Sequence, residues 1–109
     1  MAFTYILRCA DDTLYVGHTE DLASRERTHN DGTGAKYTAA RRPVRMVYAE
    51  EHPSVQSAIA RERQLKLWSN KKKEALILGD WAALRALARR STKSMAAVTW
   101  RDLLKSGSE

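Results

Sequence analysis

The sequence predicts a small mixed α/β (α+β) protein: a three-stranded antiparallel sheet with flanking helices, followed by a helical C-terminal extension. Three observations predict it. Two short β-rich runs near the N-terminus are joined by turn chemistry, a third run in mid-chain alternates its side chains, and the remaining length carries capped stretches of helical periodicity. Three strands are the least that form an independent sheet, and helices then have to cover one face of it. A chain of 109 residues holds one such domain with a real core.

The first strand is read from Phe3 to Cys9, rich in β-branched, aromatic and aliphatic residues, and the second from Leu14 to Gly17. Ala10-Asp11-Asp12-Thr13 between them makes a hairpin turn. Asp21 caps a helix from about Leu22 to Asn30, with Glu20 and Asp21 placed at its positive end. Asn30 to Pro43 holds two glycines and three basic residues and reads as a loop with a short helical turn. Val44 to Ala49 alternates Val44, Met46 and Tyr48 with Arg45 and Val47, which suits the third strand. Ser54 caps the clearest helix, Val55 to about Trp68; Ser69 starts another, Lys71 to Leu78, stopped by Gly79. Asp80 caps a third stretch with Trp81, Leu84 and Leu87 at helical spacing, and residues 98–104 suggest a last turn or two before a frayed tail at 106–109. The expected division is a domain over residues 1–80 and an extension over 81–109.

The net charge of +6 is unevenly spread. Residues 1–31 hold three Lys/Arg against six Asp/Glu, residues 32–79 ten against four, and residues 80–109 six against three. A basic middle and tail attract a polyanion by counterion release, largely regardless of its sequence, although solvated basic faces are common in proteins of every function. The single cysteine, Cys9, excludes an internal disulfide and a thiolate zinc cluster. There is no apolar run long enough for a membrane span and no basic-then-apolar leader at Met1–Tyr5, so a soluble cytoplasmic protein is expected.

Few residues look chemical. In the helix from Val55, the residues Val55, Ala58, Ile59 and Leu65 make one apolar stripe, and Glu62 falls near its middle. A carboxylate there is either paired with an arginine, leaning out to water, or working as a metal ligand or general base. Arg25 and His29 are four apart, on one helical face, where together they can grip a phosphate, although surface pairs at this spacing are frequent. Tyr5 and Tyr15 sit on the two hairpin strands, where packing is the ordinary role of tyrosine.

Their combination resembles the GIY-YIG nuclease superfamily. Tyr5 is followed ten residues on by Tyr15-Val16-Gly17, eight further by Arg25, four further by His29, and a later helix carries Glu62 within ARERQLK. The runs YILRCADDTLYVGHTEDL, GAKYTAARRPVRMVY and RERQLKLW are similar to the small single-domain members over roughly residues 3–78. The bacterial excision-repair nuclease UvrC carries a domain of the same kind at its N-terminus. Two positions depart from the pattern: the first motif reads Phe3-Thr4-Tyr5, and Glu74 stands where many members have an asparagine, with Asn70 at the wrong spacing to replace it.

The resemblance implies a metal-dependent endonuclease acting on nucleic acid, with DNA the expected substrate and DNA repair the expected setting. It implies that Glu62 holds one Mg²⁺ or Mn²⁺, that Arg25 neutralises phosphate charge, and that Tyr5 or Tyr15 helps activate water while His29 relays a proton or holds the tyrosine. Positive charge from Arg25 and the metal would have to lower a phenol's pKa for that work. Gly17 is expected to be small because a side chain would crowd the helix start or the phosphate, and Lys36, Arg41, Arg42 and Arg45 are expected to track the phosphate backbone. Two competing classes are a binding module that has kept the fold without efficient catalysis, and a basic adaptor using Trp81 and Trp100 as anchors for a protein partner or a second copy. Shared catalysis also sets a geometric condition: Tyr5 and Tyr15 must share one sheet face, which requires an odd-length connection or a bulge near Ala10–Thr13, and Glu62 should open on the same cleft.

Overall fold

The computed structural model of the protein describes residues 1–90; the turn expected over 98–104, the tail at 106–109 and Trp100 lie outside the described residues. Strands β1 (Ala2–Arg8), β2 (Leu14–Thr19) and β3 (Arg45–His52) form one antiparallel sheet in the order β2-β1-β3. Helices α1 (Leu22–Asn30) and α2 (Lys36–Ala39) lie between β2 and β3, and α3 (Val55–Lys66), α4 (Asn70–Leu78) and α5 (Trp81–Arg90) follow. β3 runs past its expected end at Ala49 because β1 already starts at Ala2, and the first residues of β1 take Glu50, Glu51 and His52 as ladder partners.

The caps fall where the polar residues promised them. Asp21, Ser54 and Ser69 accept the backbone N–H of Ser24, Ser57 and Lys72 at 3.1, 3.1 and 3.2 Å, and Asp80 accepts that of Ala83 at 3.0 Å. Gly79 ends α4 in the left-handed region, φ +71°.

In the hairpin, Tyr5 faces Gly17 and Leu7 faces Tyr15, across a five-residue connection from Cys9 to Thr13. The register is the even one, so both tyrosines stand on the same face, as shared catalysis requires. Asp12 takes the positive φ of the turn, 68°, and Asp11 Oδ1 accepts both the backbone N–H (3.2 Å) and the hydroxyl (2.6 Å) of Thr13.

Both faces of the sheet are covered, where the sequence required only one. Tyr5, Leu7 and Cys9 pack with Val44, Tyr15, Leu22 and Met46 on the first face, beneath α1 and the loop that follows it. Thr4, Ile6 and Val16 are buried on the opposite face, where Thr4 Oγ1 donates to the Ala58 carbonyl of α3 at 2.8 Å. The chain forms two compact units, one ending at Trp68 and one starting at Ser69. In the second, α4 and α5 pack together with Leu76 and Leu84 buried and Trp81 45% exposed. No helix among the described residues is long and apolar enough to cross a membrane.

Candidate active site

The site begins with a side chain that is absent. β2 is an edge strand, and the ring of Tyr5 crosses it over Gly17: a Cβ there would lie 2.5 Å from Tyr5 Oη. This corrects the expected reason for Gly17, since the phenol, rather than the helix start or a phosphate, fills the space. Tyr5 is only 2% exposed and its Oη lies 2.9 Å from His29 Nε2. His29, in the last turn of α1, is equally buried, and its Nδ1 lies 2.7 Å from Thr38 Oγ1 of α2. A second glycine makes room for it, because a Cβ on Gly34 would lie 2.5 Å from His29 Nδ1. Two glycine notches therefore hold the phenol and the imidazole in one orientation.

Tyr15 is half-buried beside this pair, its ring 5.2 Å from that of His29 and stacked on Tyr37 at 6.0 Å. Arg25 is exposed one turn before His29 on α1, and its guanidinium makes no hydrogen bond or ion pair among the described residues. Burial pushes the Tyr5 phenol up, with the charges of Tyr15 and Glu62 adding to the rise and that of Arg25 opposing it. Desolvation of a nearly enclosed ring outweighs one exposed guanidinium, so Arg25 alone does not lower this phenol. Burial, and then the charge of Arg25, hold His29 below the ordinary imidazole value, which keeps it neutral at pH 7.

Glu62 reaches the site from the other side. Thr4 pairs with His18 across the β1–β2 ladder, so His18 stands on the α3 face of the sheet, where its Nδ1 lies 2.5 Å from Glu62 Oε1. Glu62 is expected to open on the tyrosines' cleft; its helix α3 covers the opposite face of the sheet, and the carboxylate meets the edge strand β2 through His18. The charge of Glu62 still acts on the Tyr5 phenol. Lys66 Nζ lies 2.6 Å from Glu62 Oε2, so each carboxylate oxygen has a partner. Burial works to raise the Glu62 carboxyl, but the hydrogen bonds and charges of Lys66 and His18 together hold it below the usual range.

The basic residues divide into two kinds. Arg41 donates from Nε to Asp11 at 3.1 Å and from Nη1 to the Tyr37 carbonyl at 3.0 Å, and lies 3.9 Å over the Tyr37 ring. Arg42 donates to the carbonyls of Ala39 (2.9 Å) and Asn30 (3.4 Å). Both brace the loop. Lys36 and Arg45 are exposed, and their side chains make no hydrogen bond or ion pair among the described residues. His18, Gly34, Tyr37 and Thr38 escaped the sequence reading, since loop and edge positions carry no periodicity. The one available signal was His18 standing immediately after Gly17.

Among the described residues no three His, Cys, Asp or Glu side chains gather into a cage for a metal. What is present is one anionic carboxylate, its side chain 14% exposed, with Lys66 51% exposed and able to swing away. That donor set fits a hard divalent ion taking one carboxylate, waters and substrate phosphate oxygens.

Residues 1–75 match the GIY-YIG catalytic domain. Over 75 residues the chain is 48% identical to a UPF0213 protein of Bacillus pumilus (strain SAFR-032), spanning 69% of this chain and 76% of that one. It is 44% identical to a UPF0213 protein of Staphylococcus aureus (strain Mu3) over 75 residues, 69% of this chain and 92% of that one. The solution NMR structure of a UPF0213 protein from Bacillus halodurans is 40% identical, with a TM-score of 0.48, over 73% of this chain and 86% of that chain.

Proposed function

Because the chain belongs to the family of GIY-YIG catalytic domains, we propose that it is a divalent-metal-dependent endonuclease hydrolysing phosphodiester bonds, with DNA as substrate. One observation carries this reading. Tyr5 and Tyr15 converge on His29 beside the edge strand β2, near Arg25, whose guanidinium has no partner among the described residues, and the charges of Arg25 and Glu62 both act on the Tyr5 phenol. We place the nuclease domain over residues 1–80 and an extension over 81–109, of which the described part is the helix α5 (Trp81–Arg90).

The roles follow from what each group has free. Glu62 would hold Mg²⁺ or Mn²⁺, which supplies Lewis acidity to the phosphate and stabilises the leaving 3′ oxygen when bound. Arg25 offers a complete fork of donors to the non-bridging oxygens, where charge grows during reaction. Tyr5, immobilised between Gly17 and His29, and Tyr15 beside it orient the attacking water. Lys36 and Arg45 contact the phosphate backbone, which gives affinity without reading sequence; Arg41 and Arg42 add charge from fixed positions.

A second reading is favoured by the pairing of both Glu62 oxygens with His18 and Lys66. On that reading the fold binds nucleic acid and cuts poorly. A cleavage assay on supercoiled plasmid and on linear and branched oligonucleotides, with and without Mg²⁺ or Mn²⁺, separates the two. Metal-stimulated nicking supports the nuclease, and a salt-sensitive mobility shift without cleavage supports the binder.

A further inference from the structure

We propose that Thr38 is a positioning residue that sets the proton polarity of the site: it fixes His29 as the Nδ1–H tautomer, so that Tyr5 meets the substrate as a proton acceptor. The proposal rests on the nuclease reading for its chemistry, and on hydrogen-bond bookkeeping alone for its polarity.

A threonine hydroxyl has one proton and two lone pairs. Thr38 donates that proton to the Ala35 carbonyl at 3.0 Å, so it can only accept toward His29. The 2.7 Å contact with His29 Nδ1 is then an N–H donating to Thr38 Oγ1. A neutral imidazole has one N–H, which leaves Nε2 bare. The 2.9 Å contact with Tyr5 Oη must be the phenol donating to Nε2. Tyr5 therefore turns its proton inward and keeps lone pairs for whatever arrives at the β2 edge. The reversed chain would have Thr38 donating to Nδ1, Nε2–H donating to Tyr5, and the phenol proton facing outward. It makes one internal bond fewer and sets the Thr38 and Ala35 oxygens lone pair to lone pair at 3.0 Å. Thr38 is fully buried, so no water can relieve that contact at its own oxygen.

The polarity decides the chemistry. In the assigned chain, a water donates one proton to Tyr5 Oη as its oxygen bonds to phosphorus, and Tyr5 passes its own proton to His29 Nε2. The P–O3′ bond breaks with its electron pair leaving on the 3′ oxygen, which takes a proton from solvent. His29, now carrying both N–H groups, returns the extra proton to solvent through Tyr5, and its bond to Thr38 is undisturbed throughout. A phenol pushed up by burial serves this path, since it never needs to exist as a free phenolate.

The test is ¹⁵N NMR of the His29 ring in the intact protein, together with steady-state cleavage, for wild type, Thr38→Ser and Thr38→Val. Wild type and Thr38→Ser are expected to show a protonated Nδ1 and an unprotonated Nε2. Thr38→Val should lose that tautomer and lower kcat on the order of 10²-fold, the range general acid–base catalysis supplies, with KM unchanged because Thr38 is inaccessible to substrate. A protonated Nε2 in neutral wild-type His29 overturns the proposal without any mutant having to fold. So does Thr38→Val that keeps both the tautomer and the rate. Wild-type protein with the expected tautomer that cuts no nucleic acid upholds the polarity and overturns the nuclease reading instead.

Discussion

On the α3 face each edge of the sheet has a carboxylate beside it, Glu50 on β3 and Glu62 of α3 paired with His18 on β2, and the two are held in opposite ways. At the β3 edge, Glu50 accepts from the Tyr48 hydroxyl at 2.5 Å and Arg61 Nε at 2.8 Å, with His52 Nε2 at 2.9 Å. Its partners are themselves enclosed: the side chains of Arg61 and His52 are 9% and 18% exposed. At the β2 edge, Glu62 is held by His18 and Lys66, whose side chains are 39% and 51% exposed. Burial works to raise both carboxyls, and their partners hold both below the usual range, so charge state does not distinguish them. Replaceability does. A carboxylate saturated by buried partners serves the fold, and one held by solvated partners can exchange them for a cation.

The largest expected effect is on catalysis. Glu62→Gln should reduce metal-stimulated cleavage by at least the 10- to 100-fold typical of disturbing a metal site, while thermal unfolding and DNA affinity stay near wild type. A mutant that cuts as fast as wild type would remove Glu62 from the chemistry and erase the contrast between the two edges.

Glu50→Ala should do the reverse. It strands the Arg61 guanidinium, whose Nη1 is already buried without a hydrogen-bond partner among the described residues, and breaking a buried pair from one side costs about 3–5 kcal/mol. Urea unfolding should show that loss, while cleavage per folded molecule is retained. Unchanged stability with lost cleavage would make the β3 edge the functional one.

The same contrast explains how much was legible in the sequence. Strands and caps follow from local chemistry: Asp21, Ser54, Ser69 and Gly79 act within a few residues of themselves, whereas the even hairpin register is expected only because shared catalysis by Tyr5 and Tyr15 requires it. The positions of Tyr5, Tyr15, Arg25, His29 and Glu62 were readable through motif spacing, yet the face from which Glu62 arrives was not. Periodicity placed Glu62 on the apolar stripe, whereas the more buried charge on α3 is its neighbour Arg61, 8% exposed, drawn inward by Glu50 from a strand eleven residues earlier. Thr38 and Gly34 were invisible for a related reason: their importance comes from contact with His29, and no local pattern encodes it.

A smaller effect separates the basic residues along the same line. Lys36→Ala with Arg45→Ala should flatten the salt dependence of DNA binding by roughly one unit per side chain, with unfolding unchanged. Arg41→Ala with Arg42→Ala should also destabilise the loop from Asn30 to Pro43, because those guanidiniums bond its carbonyls. Equal salt slopes and equal stabilities for the two double mutants would show that being bonded in the loop does not set a residue's role.

The smallest effect is the sharpest test of replaceability. Lys66 lies one helical turn beyond Glu62, in the favourable order with the acid nearer the N-terminus, and its ammonium is half in water. Such a pair contributes about 0.3–0.5 kcal/mol, and alanine is a good helix former, so Lys66→Ala should lower the melting temperature by only about 1–4 °C. The same substitution removes a positive charge that competes with a divalent ion for Glu62 Oε2. Titration calorimetry with Mn²⁺ should therefore show affinity equal to or tighter than wild type, and Glu62→Gln in the same background should abolish the difference. If Lys66→Ala instead unfolds the protein as readily as Glu50→Ala, Lys66 is a lock of the same kind as Arg61. Glu62 would then be a second structural carboxylate, and the β2 edge would have no ligand to offer a metal.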